Sequence, residues 1–170
     1  MKKLFLLSFV LSLFACTTTE IKTPTEDKNI AIFKENSKVV KLIFDNFVNK
    51  DFDSNDAVTS DTFKFCPARI ANDTLSKSAT KAGLIALRGL SNKVSYSNLM
   101  FLPAVDIVTF KADGNVRVFA TWNSEGKNGA ILKQKYFAIF EFNNAHKVTL
   151  CDEYQDYGGI VQTLTAAPKK

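Results

Sequence analysis

The chain has one histidine, one tryptophan and three cysteines among its 170 residues, and this scarcity excludes several kinds of chemistry. A zinc site of the usual kind needs several cysteine or histidine ligands at short spacing, and neither CxxC nor HxxxH occurs. The motifs GxSxG, GxGxxG, GxxxxGK[ST] and HExxH are also absent. Hydrolase-elbow, dinucleotide, phosphate-loop and zincin chemistry therefore lack their minimal residues, and we expect neither a metal ion nor a cofactor.

Clusters of like charge are missing as well. The formal net charge of +5 includes Lys2 and Lys3, which lie in a predicted signal segment, and it falls to +3 without them. Lysines are scattered among acidic residues, and no run of five like charges occurs. Nucleic-acid binding requires clustered cations, so we expect no nucleic-acid partner.

The N-terminus has the charge and hydropathy order of a secretory signal. Two lysines precede a largely apolar run from Leu4 to Ala15, which predicts a signal peptide over residues 1–15. The run is shorter than the roughly 20 residues that cross a bilayer as a helix. A permanent transmembrane helix is therefore not expected here.

The quartet Leu13-Phe14-Ala15-Cys16 resembles the lipobox of bacterial lipoproteins. The resemblance implies that the chain is cut before Cys16 and that its thiol carries acyl chains such as palmitate. Such chains would anchor the protein to a membrane of the bacterial cell envelope, on its periplasmic or surface side. Residues 16–28 are poor in apolar side chains and are interpreted as a tether. An ordinary signal peptide with a chance cysteine remains the alternative.

Two cysteines are left for the folded domain, Cys66 and Cys151. Export to an oxidising compartment would allow a disulfide between them to persist. Free cysteine is also among the most buried residue types. Two buried free thiols are thus the alternative to a bridge.

Two helices are predicted in the first half of the domain. The segment from Asn29 to Phe52 has apolar residues at spacings of three, four or seven, which indicates one buried helical stripe. That stripe consists of Phe33, Val40, Phe44, Phe47 and Val48. A second helix is expected from Thr74 to Leu90, with Asp73 or Thr74 as its N-cap. Its packing face is predicted to be Leu75, Ala79, Ala82, Ala86 and Leu90.

Strands dominate the second half. They are expected over residues 93–102, 105–110, 116–122, 130–142 and 147–157. Pro103 predicts a bend or bulge, and Asp113-Gly114 predicts a hairpin turn between two strands. Helices followed by an antiparallel meander predict an α+β fold in which helices cover one face of the sheet.

The second half also contains the strings NVRVFATW after the Asp-Gly pair, GKNG leading into AILKQKYFAIFEF, the turn AHKV, and the closing YQDYGG. Together they resemble the nuclear transport factor 2-like superfamily, especially its SnoaL-like polyketide cyclase branch. The resemblance implies one domain over residues 29–165, followed by a tail over residues 166–170. It also implies a cone-shaped, curved antiparallel sheet packed on N-terminal helices, the cystatin-like α+β roll. A cavity between the helices and the concave face is implied too, as is a possible homodimer through the exposed face.

Catalytic members of that superfamily place a carboxylate with a histidine or a tyrosine in the cavity, because moving a proton needs a base with a suitable pKa. His146 lies in a predicted turn, so we expect it to be solvated. Tyr154 and Asp156 match the superfamily's Tyr-x-Asp ending and share a strand face with Asp152. These three residues are candidates for the pocket, or else they tie the end of the sheet to a helix.

Three more residues are candidates for the pocket. Asp106 stands alone among apolar neighbours, which places it either on the solvent side of its strand or inside the pocket. Trp122 and Tyr136 are either ligand-stacking residues or ordinary core residues. No catalytic residue is assigned.

The function predicted from these patterns is a membrane-anchored envelope lipoprotein that binds a small apolar ligand or an envelope protein without catalysis. The alternative is an isomerase or dehydratase that uses an aspartate and a tyrosine of the pocket. A structural protein with a filled interior is the third interpretation.

Overall fold

The computed structural model describes residues 27–68 and 73–167. The predicted signal peptide, Cys16 and most of the predicted tether lie outside the described residues, as does the end of the predicted tail. The elements are α1 (Lys28–Asn49), α2 (Ser54–Val58), β1 (Thr59–Pro67), β2 (Leu75–Ser76), α3 (Lys77–Gly89), β3 (Ser91–Val105), β4 (Ala112–Gly126), β5 (Ile131–Phe142), β6 (Val148–Tyr154) and α4 (Tyr157–Thr165). No helix in these two ranges is long and apolar enough to cross a membrane.

The six strands form one curved, open sheet in the order β2-β1-β6-β5-β4-β3, packed against the N-terminal helices. The predicted α+β class is confirmed. The strands of the predicted meander, β3 to β6, pair antiparallel as expected, whereas β1, whose type was not predicted, runs parallel to β6. A parallel pair needs a long crossover, and here all the elements from β2 to β5 lie between the two strands.

Helix α1 lies against β4 and carries the predicted apolar stripe. Val40 and Phe44 are completely or almost completely buried, as their helical spacing requires. The Asp27 carboxylate accepts a hydrogen bond from the Asn29 amide and caps the helix. Lys50 adopts φ 64°, a left-handed conformation that ends a helix, so α1 stops before the predicted Phe52.

Helix α3 differs from its prediction in both start and face. Residues Leu75 and Ser76 form the short strand β2, and Ser76 caps the helix by accepting a hydrogen bond from the Ala79 amide. The predicted alanine face is exposed at Ala79, Ala82 and Ala86. The inner face instead consists of Thr80, Leu84, Leu87 and Arg88. Leucine gains more free energy from burial than alanine does, which favours this orientation.

The predicted turn at Asp113-Gly114 is wrong, because both residues lie within β4. In the β3–β4 register Pro103 pairs with Val116 and Val105 pairs with Ala112, so the pair sits in a β-bulge. This register shift confirms the bulge predicted at Pro103. Gly114 has φ 88°, and a Cβ atom there would lie 2.8 Å from Cγ2 of Ile32. The β3–β4 turn itself spans residues 106–111.

Strand β5 forms where it was predicted, but β6 ends at Tyr154 rather than at the predicted Tyr157, and the chain then continues into α4, which was not expected. Two adjacent glycines, Gly158 and Gly159, disfavour a helix. Asp156 compensates by capping α4, since its carboxylate accepts a 2.8 Å hydrogen bond from the Gly159 amide. Ile160 and Leu164 are buried and anchor α4 to the domain.

A candidate ligand cavity around Glu153

A cavity of about 140 Å³ lies between α1, α3 and α4 and the inner face of the sheet. Most of its wall is apolar, which is typical of small-molecule sites. The apolar wall includes Phe44, Phe47, Phe63, Phe65, Leu84, Leu87, Trp122, Phe140, Ile160 and Leu164.

Aromatic rings form one wall of this cavity. The ring of Trp122 stacks on Phe44 with centroids 4.8 Å apart and meets Tyr136 edge-on at 6.1 Å. The Phe47 ring also meets Trp122 edge-on, with the centroids 5.3 Å apart. Such offset and edge-to-face pairs stabilise a fixed arrangement, so this wall is rigid and well suited to an aromatic or aliphatic ligand.

Among the described residues that line the cavity, Glu153 is the one buried acid, with 5% of its surface exposed. Tyr136 donates a 2.9 Å hydrogen bond to its Oε2. Gln155 donates through Nε2 to its Oε1, and the hydroxyl of Tyr157 is a third hydrogen-bonding partner. All four side chains line the cavity, so an acid and two phenols meet in an apolar site.

Burial sets the acid–base properties of this cluster. Loss of water raises the pKa of Glu153 to about 7, although the hydrogen bonds from Tyr157, Tyr136 and Gln155 act to lower it. Burial and the neighbouring Glu153 charge raise the pKa of Tyr136 and of Tyr157. The tyrosines are therefore neutral donors at every physiological pH. Glu153 is the group whose charge changes near neutrality.

A second polar group lines the cavity on the side of α2 and α3. Lys81 bridges Asp53 at 2.6 Å and Asp56 at 2.7 Å. Lys77 donates to the carbonyl oxygens of Asp56 and Thr59 at 3.0 and 3.1 Å. Since both lysine side chains are partly exposed, this side of the cavity lies nearest to solvent.

Arg88 also lines the cavity and is 6% exposed. Its guanidinium donates to the carbonyl oxygens of Ser91 at 2.9 Å and Val48 at 3.2 Å. It thereby joins the end of α3 to the end of α1 and to the start of β3. Its buried Nε has no hydrogen-bond partner among the residues that the structure describes.

Comparison with known proteins gives a fold but no sequence family. No protein-family profile and no curated protein matches the chain. Among solved structures, a candidate isomerase from Bacillus subtilis superposes with a TM-score of 0.65 at 12% identity, covering 81% of this chain and 99% of that one. A candidate polyketide cyclase from Xanthomonas campestris pv. campestris gives a TM-score of 0.62 at 10% identity, with 79% and 99% covered.

A third neighbour carries the name of the fold. It is an NTF2-like protein of unknown function from Exiguobacterium sp. 255-15, with a TM-score of 0.56, 15% identity, and 70% of this chain and 98% of that one covered. The fold is nuclear transport factor 2-like. At such identities the likeness concerns the fold alone, and the neighbours' names differ from one another in function. The activity of this nuclear transport factor 2-like domain must therefore be argued from its own side chains.

Of the predicted pocket residues, the structure places Trp122 and Tyr136 in the cavity wall. Asp152, Tyr154 and Asp156 lie outside the cavity wall, which corrects their prediction as pocket residues. Glu153 points inward from β6, and adjacent residues of a strand point to opposite faces. Tyr154 is 49% exposed and donates to Asp152 at 2.9 Å, while the exposed Asp156 caps α4.

Asp106 also lies away from the cavity, in the exposed β3–β4 turn. Its carboxylate accepts hydrogen bonds from the amides of Val108 at 3.1 Å and Thr109 at 2.7 Å. These bonds lower the pKa of Asp106. The alternative with a solvent-facing Asp106 is thus the one observed, and the pocket assignment is wrong.

The two cysteines are free thiols. Cys66 pairs with Asp152 across the β1–β6 ladder, whereas Cys151 pairs with Phe65. This offset of one residue sends the two sulfurs to opposite faces of the sheet. Burial raises the pKa of both thiols. The structure therefore agrees with two free thiols rather than a bridge.

His146 lies in the exposed β5–β6 turn, as predicted, with φ 56°. Its Nδ1 is 2.7 Å from Oδ1 of Asn36, and Asn36 in turn donates to the Gly114 carbonyl at 2.8 Å. The histidine thus fixes the turn against α1 and lies outside the cavity wall.

Sequence reasoning missed Glu153. Its strand showed a clear alternation, which grouped Cys151, Glu153 and Gln155 on one face. The composition of the two faces could have indicated which one is buried, because the face with Glu153 carries one acid among small and neutral residues. The opposite face carries Asp152, Tyr154 and Asp156. A face with a single acid is the cheaper one to bury.

Proposed function

We propose that this protein is an envelope lipoprotein whose cavity binds a small apolar ligand, with Glu153 as the polar group that anchors it. The observation that carries the proposal is a buried carboxylate surrounded by phenols at the wall of an otherwise apolar cavity. Apolar pockets with a few convergent polar groups and a perturbed pKa are the usual form of binding sites.

The size of the cavity limits the ligand. At about 140 Å³ it is close to the engineered cavity of about 150 Å³ that binds benzene. A ligand with one aromatic ring, or an aliphatic chain of similar volume, is therefore of the right size. Fused ring systems would need the helices to move apart.

The hydrogen-bonding capacity of Glu153 suggests the ligand's polar group. An ionised carboxylate offers about four acceptor sites, and Tyr136, Tyr157 and Gln155 occupy three of them. A ligand with one hydroxyl or amine donor would complete the set. Charge-assisted hydrogen bonds of this kind are stronger than neutral ones, so Glu153 favours a phenol or an alcohol over a hydrocarbon.

Membrane attachment is the second part of the proposal, and the lipobox-like quartet ending at Cys16 supports it. Two or three acyl chains on this cysteine would anchor the protein stably, because each buried methylene adds about 0.8 kcal/mol. The ligand would then be one that reaches the cell envelope.

A proton-transfer enzyme of the isomerase or dehydratase type is the second candidate. The specific observation in its favour is the pKa of Glu153 near 7, since a general base works best when its pKa lies near the operating pH. Glu153 would remove a proton from carbon, and Tyr136 or Tyr157 would donate a hydrogen bond to the enolate oxygen. The exposed Asp156 cannot serve as this base.

Binding of phenol and of toluene, which have nearly the same shape, tests the first candidate. We expect both compounds to bind at pH 8. Trp122 is the only tryptophan, so a change in its fluorescence emission reports occupancy. Calorimetry gives the affinity. In Glu153→Gln the phenol affinity should fall roughly ten- to a hundredfold, because a charge-assisted hydrogen bond contributes roughly 1.5–3 kcal/mol. Toluene affinity should not change.

Glu141→Gln is the matched control, because Glu141 is an exposed carboxylate on the neighbouring strand β5. If neither compound changes the Trp122 emission, the binding proposal is wrong. The enzyme would be favoured if the protein exchanges deuterium into the α-carbon of a small ketone and if the Glu153→Gln variant loses this exchange while the Glu141→Gln variant keeps it.

A further inference from the structure

Three large apolar side chains lie together at the β3–β4 turn, and we call Ile107, Val108 and Phe110 the apolar tip. Their exposed fractions are 86%, 78% and 79%, the highest among the exposed large apolar residues. Single exposed apolar residues are ordinary, but a contiguous exposed group marks an interaction site.

The apolar tip is held in a closed turn. The Asp106 carboxylate accepts hydrogen bonds from the amides of Val108 and Thr109. The Phe110 amide donates to the Asp106 carbonyl at 2.9 Å, and the Asp106 amide donates to the Lys111 carbonyl at 2.9 Å. Because the backbone is already ordered, insertion of the tip into an apolar phase needs little further loss of conformational entropy.

The N-terminal segment joins the domain at the same end of the sheet. The Asn29 side chain, in the first turn of α1, donates to the Ala112 carbonyl at 2.7 Å. Ala112 is the first residue of β4, immediately after the turn that carries the apolar tip. The start of α1 and the tip are therefore neighbours.

The length of chain before α1 limits how far this end can be from an anchor. Only ten residues lie between Cys16 and Asp27. Such a segment spans at most about 40 Å when extended and about 20 Å as a flexible coil. A membrane-anchored Cys16 would thus keep the apolar tip close to the bilayer surface.

We infer that the apolar tip inserts into the interfacial region of the lipid bilayer to which the N-terminal segment is attached. The inference rests on the proposed membrane anchoring. The bilayer is favoured over a protein as the occupant because three protruding side chains cannot supply the roughly 800 Å² per partner of a standard protein interface. A bilayer needs no complementary shape and accepts isolated apolar side chains.

Docking at the tip would also orient the domain. Strand β4 leads from the tip to the β4–β5 turn, where Ile131 is 75% exposed. With about 3.3 Å of rise per residue, this turn lies tens of ångströms from the membrane. Ile131 therefore provides a matched control, since it is an exposed apolar residue at the far end of the same strands.

The test uses the full chain, purified from a bacterial host that exports it and mixed with phosphatidylcholine–phosphatidylglycerol vesicles. Val108→Cys and, separately, Ile131→Cys carry an environment-sensitive fluorophore, and the unaltered chain labelled in the same way gives the contribution of Cys66. Ile107→Cys is a second tip variant in case Val108→Cys does not fold. Flotation with the vesicles is measured in parallel.

We expect brominated lipid to quench the labels at residues 107 and 108 several-fold more than the label at residue 131, and aqueous iodide to show the reverse order. If the chain floats but iodide reaches the tip labels as readily as the label at residue 131, docking is overturned and anchoring is supported. Tip labels shielded from both quenchers indicate contact with a second copy and also overturn docking. A chain that does not float contradicts the anchoring and the docking together.

Discussion

The hydroxyl of Tyr136 lies 2.9 Å from Oε2 of Glu153, and both side chains are buried. The two residues belong to the antiparallel neighbours β5 and β6, in which Ala138 pairs with Glu153. Tyr136 and Ala138 share the inner face of β5 because they are two residues apart. This register brings the hydroxyl and the acid together on the concave side of the sheet.

The free energy of unfolding should depend on pH through Glu153. Its pKa is raised from 4.5 to about 7 in the folded state, so the folded protein binds a proton that the unfolded chain releases. The stabilisation is present below pH 4.5 and is lost as the pH rises to 7. We expect the free energy of unfolding of the unaltered protein to fall by about 3 kcal/mol over this range, relative to Glu153→Gln.

Urea denaturation at several pH values measures this difference. Comparison with Glu153→Gln is needed because Asp51 and Asp106 have lowered pKa values and act in the opposite direction. If the two proteins show the same pH dependence, the pKa of Glu153 is not raised.

Replacement of Arg88 by methionine should destabilise the domain. The change removes the hydrogen bonds to the carbonyl oxygens of Ser91 and Val48, and buried acceptors without a donor cost about 1–3 kcal/mol each. Relief of the buried charge offsets part of this cost, so we expect a net loss of about 2 kcal/mol in urea denaturation. Arg117→Met is the control, since Arg117 is only half-buried. An equal loss of stability in both variants would contradict the role of Arg88 in joining α1, α3 and β3.

Four residues form a row on the outer face of the sheet. Met100 pairs with Phe119, Phe119 with Phe137, and Phe137 with Tyr154. The Phe119 and Phe137 rings stack at 4.7 Å, and Phe137 stacks on Tyr154 at 5.6 Å. Met100, Phe119 and Tyr154 are 37–49% exposed. This row is suited to a homodimer in which two sheets meet.

If the homodimer expected from the sequence forms through this row, Phe119→Glu should convert it into a monomer, because the change buries a charge in the interface. Light scattering coupled to gel filtration measures the mass. Ile131→Glu, an apolar-to-acidic change at an exposed site outside the row, should leave the dimer intact. A monomeric unaltered protein would contradict the predicted homodimer.

Much of the secondary structure could be predicted because it depends on local patterns. The stripe of α1 follows from its helical spacing, and strands β5 and β6 follow from runs of β-forming residues. The end of α1 at Asn49 could not be predicted, because it depends on a left-handed Lys50 rather than on a proline or glycine. Helix α4 was missed because its two glycines obscured the cap at Asp156.

The faces of the elements could not be predicted from the same patterns. Alternation along β6 separates Glu153 from Tyr154, but it does not say which of them is buried. Likewise, helical spacing groups Ala79 with Ala82 and Ala86, yet the face around Leu84 and Leu87 is the one that lines the cavity. In each case the choice depends on residues far away in the chain.

The sequence by itself determined the positions of the two long helices ahead of the strands, the α+β class and the absence of the common catalytic and metal-binding motifs. These properties follow from local propensity and from residue types. Tertiary structure alone decided that Glu153 and Tyr136 meet in a cavity, that Cys66 and Cys151 face opposite sides, and that Asp106 lies in a turn. The physical reason is that strand register and curvature, which arise from packing across the whole sheet, select the buried face and thereby set the pKa of each group on it.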